Sequence, residues 1–144
     1  MSTTDENKAQ FRRTYEELFN KGNLDVADEL IALDFLNHEA PPRRDRGPES
    51  MRETITMLRT AFPDLHFTIE EQVAEGDTVV GRVTMNGTHQ GPFQGIPPTG
   101  RSFQQEQVHF VRFRDGKAIE HRAVRDDLGM MRQLGVIPAP ADAR

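Results

Sequence analysis

From Leu65 onward the chain changes its hydrophobic period from that of a helix to that of a strand. Leu65, Phe67, Ile69 and Val73 alternate with His66, Thr68, Glu70 and Gln72, the pattern of a strand with one wet face. Glu75-Gly76-Asp77 reads as a turn and residues 78–88 as the next strand. The Gly- and Pro-rich stretch 90–100 is a long loop, 102–114 a long strand, and Asp115-Gly116 a hairpin signal into 117–124. A second half built as an antiparallel meander leaves one sheet face to be covered, and only the first half of the chain can cover it.

That first half has the means. Phe11, Tyr15, Leu18 and Phe19 fall at i, i+4, i+7 and i+8, one apolar stripe of a helix that Gly22 can stop. A second helix is predicted over 24–33, with Val26, Leu30 and Leu33 aligned, followed by a brief extended piece at 35–38 that Pro41-Pro42 ends. Pro48 suits the first turn of a third helix whose stripe is Met51, Ile55, Leu58 and Phe62. A last helix is expected over 126–134, with Gly135 past its end. The pattern is that of an α+β chain with helices packed on the concave side of a curved sheet, leaving a cavity between them. At 144 residues it makes one domain over 1–144, with 137–144 expected as a disordered tail.

The strand 102–114 carries the most informative side chains. Gln107 and His109 lie two apart in an apolar run, so both point to one face together with Val111 and Phe113, while Val108, Phe110, Arg112 and Arg114 take the other. On the following strand Ile119, His121 and Ala123 are expected to share a face. An amide and an imidazole on an apolar wall need partners, which suggests a pocket holding a polar group of a ligand. His109 has a side chain able to donate or accept a proton near neutral pH, and equally able to be a satisfied core histidine bonded to a neighbouring carbonyl. Phe93, Ile96 and Pro97-Pro98 have the look of an apolar lid. His38-Glu39 stands as a candidate acid–base pair at the rim, or as solvated loop.

Composition removes other classes. The net charge of -5 is spread along the chain, and the Arg43, Arg44, Arg46 cluster is interrupted by Asp45, so no nucleic-acid partner is expected. With no cysteine there is no disulfide or thiolate nucleophile, and the five histidines show no i, i+4 pair that would signal a metal site. No apolar run approaches the length of a membrane span and no leader pattern opens the chain, so neither a membrane partner nor secretion is expected and a cytoplasmic protein is.

FNKGN (19–23), FLNHEAP (35–41) and DDLGMMRQLG (126–135), in that order and spacing, resemble the SnoaL-like polyketide cyclases. These share the cone-shaped α+β fold of nuclear transport factor 2 and the scytalone dehydratases. The resemblance implies a pocket lined by an asparagine, a glutamine and a histidine two apart, which Asn37, Gln107 and His109 match. It implies an intramolecular aldol ring closure by acid–base catalysis, without metal or organic cofactor, on a small hydrophobic, polycyclic substrate. It also implies a homodimer joined through the outer sheet face, where Val108 and Phe110 would sit. At the position of the family's catalytic aspartate stands Ala123. The expected catalytic residues are therefore His109 and, matching a second aspartate of the wider family, Asp126, whose other reading is N-cap of the last helix. Asn37, Gln107, His121 and Phe93 are the expected substrate-binding residues. The departure at Ala123 keeps open two further readings: a non-catalytic binding or accessory protein for a hydrophobic metabolite, and a hydratase, isomerase or hydroxylation component on the same scaffold.

Overall fold

A computed structural model describes residues 3–138. The expected disordered tail therefore lies, from residue 139 onward, outside the described residues. The first helix, α1 (Thr3–Arg13), continues as wider π-helical turns over Thr14–Asn20, and all four residues of the expected stripe are buried. A 3-10 turn (Leu24–Val26) leads into the short α2 (Ala27–Leu30), and from there the chain runs extended as β1 (Ile31–Asn37). The helix predicted through residue 33 thus ends three residues early. Leu33 is 88% exposed and does not extend the stripe of Val26 and Leu30. The reason is tertiary: β1 finds a parallel partner in β5 (Lys117–Arg125), which local spacing does not encode.

Four strands form the expected meander: β2 (His66–Glu75), β3 (Thr78–Thr88), β4 (Ser102–Arg114) and β5. The order across the sheet is β1-β5-β4-β3-β2, so the sheet is mixed, its antiparallel meander extended by the parallel edge strand β1. A register shift between Ile69 and Glu71 breaks the alternation of β2 and turns Val73 out to solvent. Another, opposite Arg112 and Phe113, corrects the expected face of β5: Ala118 rather than Ile119 joins the core, while His121 faces inward as expected.

The first helix and its π-helical end pack on β2 and β3, α3 (Gly47–Ala61) on β1, and α4 (Asp127–Leu134) on β4. Gly81 on β3 lets the sheet come this close to α1, because a Cβ there would strike the Phe11 ring. Gly135 adopts a left-handed φ of 78° and ends α4 as expected. The outer sheet face carries ion pairs, Arg82 with Glu71 and Glu106, and Arg112 with Asp77 and Glu120, around a partly exposed Phe110. Glu106 therefore lies on the face away from His109. Among the described residues no helix is long and apolar enough to cross a membrane.

Candidate functional site

Between the helices and the inner sheet face lies a cavity of about 320 Å³, the size of a small-molecule site. The period-two alternation of β4 points Gln105, Gln107 and His109 into it. His121 and Arg125 enter from β5, Asn37 from the end of β1, and Asp127 from the start of α4. Phe19, Met51, Leu58, Phe67 and Phe93 supply apolar wall. Phe93 is buried and packs on Phe62 at 5.0 Å between ring centres, so the 90–100 loop closes over one side as expected of a lid.

The polar side chains form one continuous hydrogen-bonded wall. Gln105 Nε2 donates to Asp127 Oδ1 (3.0 Å), and Gln107 Nε2 donates to Gln105 Oε1 (2.7 Å). Gln107 Oε1 lies 2.6 Å from His109 Nε2, and His109 Nδ1 lies 2.8 Å from His121 Nε2. His121 Nδ1 is 2.8 Å from Asn37 Oδ1, which also accepts the Glu39 backbone N–H at 3.0 Å. The rings of His109 and His121 lie nearly parallel, 13° apart with centres 5.0 Å apart, as suits an edge-to-edge hydrogen bond, and Tyr15 meets His109 edge-on at 5.3 Å. His109 is thus bonded to a side-chain amide and a second imidazole, not to a backbone carbonyl. Burial, then the neighbouring His121 and Arg125 charges, press His109 toward its neutral form; burial and Arg125 press His121 the same way. Burial likewise pushes the Tyr15 phenol well above its ordinary range.

At the mouth Arg125 Nη1 sits 2.5 Å from Glu39 Oε1. Burial pushes the Glu39 carboxyl up, but the Arg125 hydrogen bond, the Ala123 N–H and the nearby cations outweigh it and hold it below the usual range. A depressed carboxyl contributes stability that is complete above its unfolded pKa, about 4.3, and is lost as the pH falls through the folded value. Glu39→Gln is expected to flatten the acid limb of stability measured as urea midpoints against pH. An acid limb identical to that of the wild type would show that the pair contributes nothing. The rim pair expected within His38-Glu39 is instead divided: His38 Nε2 lies 2.9 Å from Glu120 Oε2.

Five of the six residues expected at the site, Asn37, Phe93, Gln107, His109 and His121, line the cavity together. Asp126 takes its other reading: its Oδ1 accepts the Gly129 N–H at 2.9 Å as N-cap of α4, and Asp127 is the carboxylate that reaches the wall. Ala123 pairs with His109 across the β4–β5 ladder, so a longer side chain there would project beside the imidazole. Sequence reasoning missed Gln105, although it shares the strand parity of Gln107 and His109. It missed Arg125, the ladder partner of Gln107, and Ser50, whose buried Oγ has no partner on the cavity side of α3. Ser50 precedes Thr54, Met57 and Leu58 at helical spacing, which was the available signal. Among the described residues no three His, Asp or Glu side chains gather as metal ligands.

A helix-covered curved sheet enclosing a largely apolar cavity with a hydrogen-bonded polar wall on the sheet side is the architecture of a small-molecule site within an α+β cone. The chain belongs to the SnoaL-like polyketide cyclase family, whose model matches residues 9–134. It is 38% identical over 126 residues to the aklanonic acid methyl ester cyclase DnrD of Streptomyces peucetius, covering 85% of this chain and 87% of that one. It is 36% identical over 119 residues to the nogalonic acid methyl ester cyclase of Streptomyces nogalater, covering 81% and 89%. Among solved structures, a SnoaL-like protein of Jannaschia sp. CCS1 superposes with a TM-score of 0.83 at 27% identity, covering 96% of this chain and 97% of that one. The fold is thus the nuclear transport factor 2-like cone that the sequence pointed to.

Proposed function

We propose that the protein is a cofactor-independent cyclase that closes a ring in a polyketide methyl ester by intramolecular aldol chemistry. The observation that carries this reading is the polar wall on one side of a largely apolar cavity, with two imidazoles and three amides aligned where a flat, carbonyl-rich substrate would lie. An aldol closure needs a proton moved from a carbon or enol oxygen to the new alkoxide, and stabilisation of the charge that develops between those events. His109, backed by His121, is the proton-moving group. Gln107 and Asn37 orient substrate oxygens, and Phe93 covers the apolar face of the ring system. Asp126 keeps its helix-capping role in this reading, and Ala123 stands where the family's catalytic aspartate would be. The protein acts in the cytoplasm as a homodimer joined through the outer face of the sheet, near Phe110.

The test is turnover of aklanonic acid methyl ester and nogalonic acid methyl ester, followed as conversion to the cyclised product. Wild type is expected to convert at least one of them. Ala123→Asp is expected to raise the rate, since it sets a carboxylate beside His109. Binding of both esters with no conversion by either protein would overturn the cyclase reading.

A further inference from the structure

The polar wall calls for one more proton than its imidazoles carry when neutral. An ionised carboxylate only accepts, so the Asp127 contact turns the Gln105 Nε2 toward Asp127 and the Gln105 Oε1 toward Gln107 Nε2. Gln107 is left presenting its oxygen to His109 Nε2 at 2.6 Å. At the other end the Glu39 N–H fixes Asn37 with its oxygen toward His121 Nδ1. Both outer nitrogens of the histidine pair therefore meet oxygen acceptors and must bear hydrogen. The 2.8 Å contact between the rings needs a third hydrogen, whereas two neutral imidazoles hold two between them.

We propose that His109 and His121 share a third ring proton, balanced by the Asp127 carboxylate through the two-amide bridge, and that this imidazole–imidazolium unit is the proton donor to an oxyanion of the substrate. The donor role rests on the cyclase reading, while the proton count stands on the hydrogen bonds alone. The same contacts suit a neutral pair only if both glutamine amides turn over and Asp127 takes the proton. Asp127 is thus a positioning residue, coupled to the pair through Gln105 and Gln107.

The surroundings of the pair divide. Burial and the Arg125 guanidinium of β5 oppose the charge, and Arg44, ahead of α3, adds a cation to the cavity wall. Glu39 is ion-paired to Arg125 and offsets it, and Glu120 of β5 does the same for His38. Glu53 of α3 and Asp127 of α4 add carboxyls to the wall, and Tyr15 lends its ring edge to His109. In the closure, an enol carbon of the substrate attacks a carbonyl carbon of the same molecule, and the C=O π pair moves to oxygen. A ring N–H breaks as the product O–H forms. The enol O–H proton then passes to the bared nitrogen, so the unit is reloaded and the substrate gains and loses one proton. The substrate oxygen enters this exchange by taking the place of Gln107 Oε1 as acceptor.

The experiment is 15N-histidine NMR of the full chain, titrated from about pH 5 to 8, the range in which histidine exchanges its proton. Expected at about pH 7 are hydrogen-bearing outer nitrogens on both His109 and His121, with the two rings losing one proton in a single shared step. Asp127→Asn is expected to weaken the pair's hold on that proton about tenfold, about one pH unit in the midpoint, and Asp127→Glu to restore it. A bare outer nitrogen in the wild type at about pH 7, or a midpoint unmoved by Asp127→Asn, would overturn the proposal. No substrate enters this measurement, so a neutral pair and a failed turnover assay are separate outcomes.

Discussion

His109→Ala is expected to lower kcat about 10²- to 10⁴-fold on any polyketide ester that the wild type cyclises, the range associated with loss of a positioned acid or base. In energy that is about 3–5 kcal/mol of transition-state stabilisation. The change strips Gln107 Oε1 and His121 Nε2 of their shared partner. Substrate contacts with Phe93, Phe67 and the other apolar lining residues remain, so KM should move far less than kcat. The variant also leaves buried polar atoms unpaired, a cost of about 1–3 kcal/mol, so circular dichroism and a urea midpoint must accompany the kinetics. A folded variant that loses less than about tenfold would remove His109 from the chemistry and leave the wall a binding surface. Tyr15 does not replace it, because burial keeps its phenol from ionising at working pH.

Gln107, His109 and His121 were legible from the parity of their strands, whereas Phe93 was read from the composition of its loop and Asn37 came from the resemblance. Gln107 and His109 could be placed on one inward face before any partner was known, because β4 runs without interruption from residue 102 to 114. Parity fails where a bulge intervenes. The shift in β5 leaves His121 inward but exchanges Ile119 for Ala118, and the shift in β2 releases Val73. The start of β1 was illegible for a different reason. Residues 31–33 continue a helical spacing and only the parallel partner β5 makes them strand, whereas 35–37 read as extended from the chain alone. The same distant pairing brings Asn37 beside His121, so a residue picked from the resemblance gained a partner that no local pattern announces. Asp126 and Asp127 are neighbours that the chain alone does not distinguish. The helix start decides between them, giving the first the Gly129 N–H and the second the Gln105 amide.

Phe62→Ala is expected to cost about 3–5 kcal/mol of folding stability, as loss of a fully buried aromatic ring does, and to lower Tm by roughly 10–20 °C. Phe62 ends the apolar stripe of the third helix, is 0% exposed and holds three elements at once. Its ring meets Phe103 of β4 edge-on at 4.7 Å, Phe93 of the lid at 5.0 Å and His89 at the end of β3 at 5.9 Å. Removing it leaves a void under the 90–100 loop that the surrounding strands cannot collapse into, because Phe103 is fixed by the β3–β4 ladder. Phe93 loses its main aromatic neighbour on the helix side, so the cavity wall loosens together with the fold. Phe62→Leu keeps more of the buried volume and should cost less than the alanine change, so the loss should track the size of the void. Chemical denaturation with an unchanged m-value would place both losses in the native state. A loss below about 1 kcal/mol for the alanine variant would mean that the loop repacks over the gap. In that case Phe93 would be held by its own contacts with Ile96 across the tip, and the lid would be a unit independent of the core.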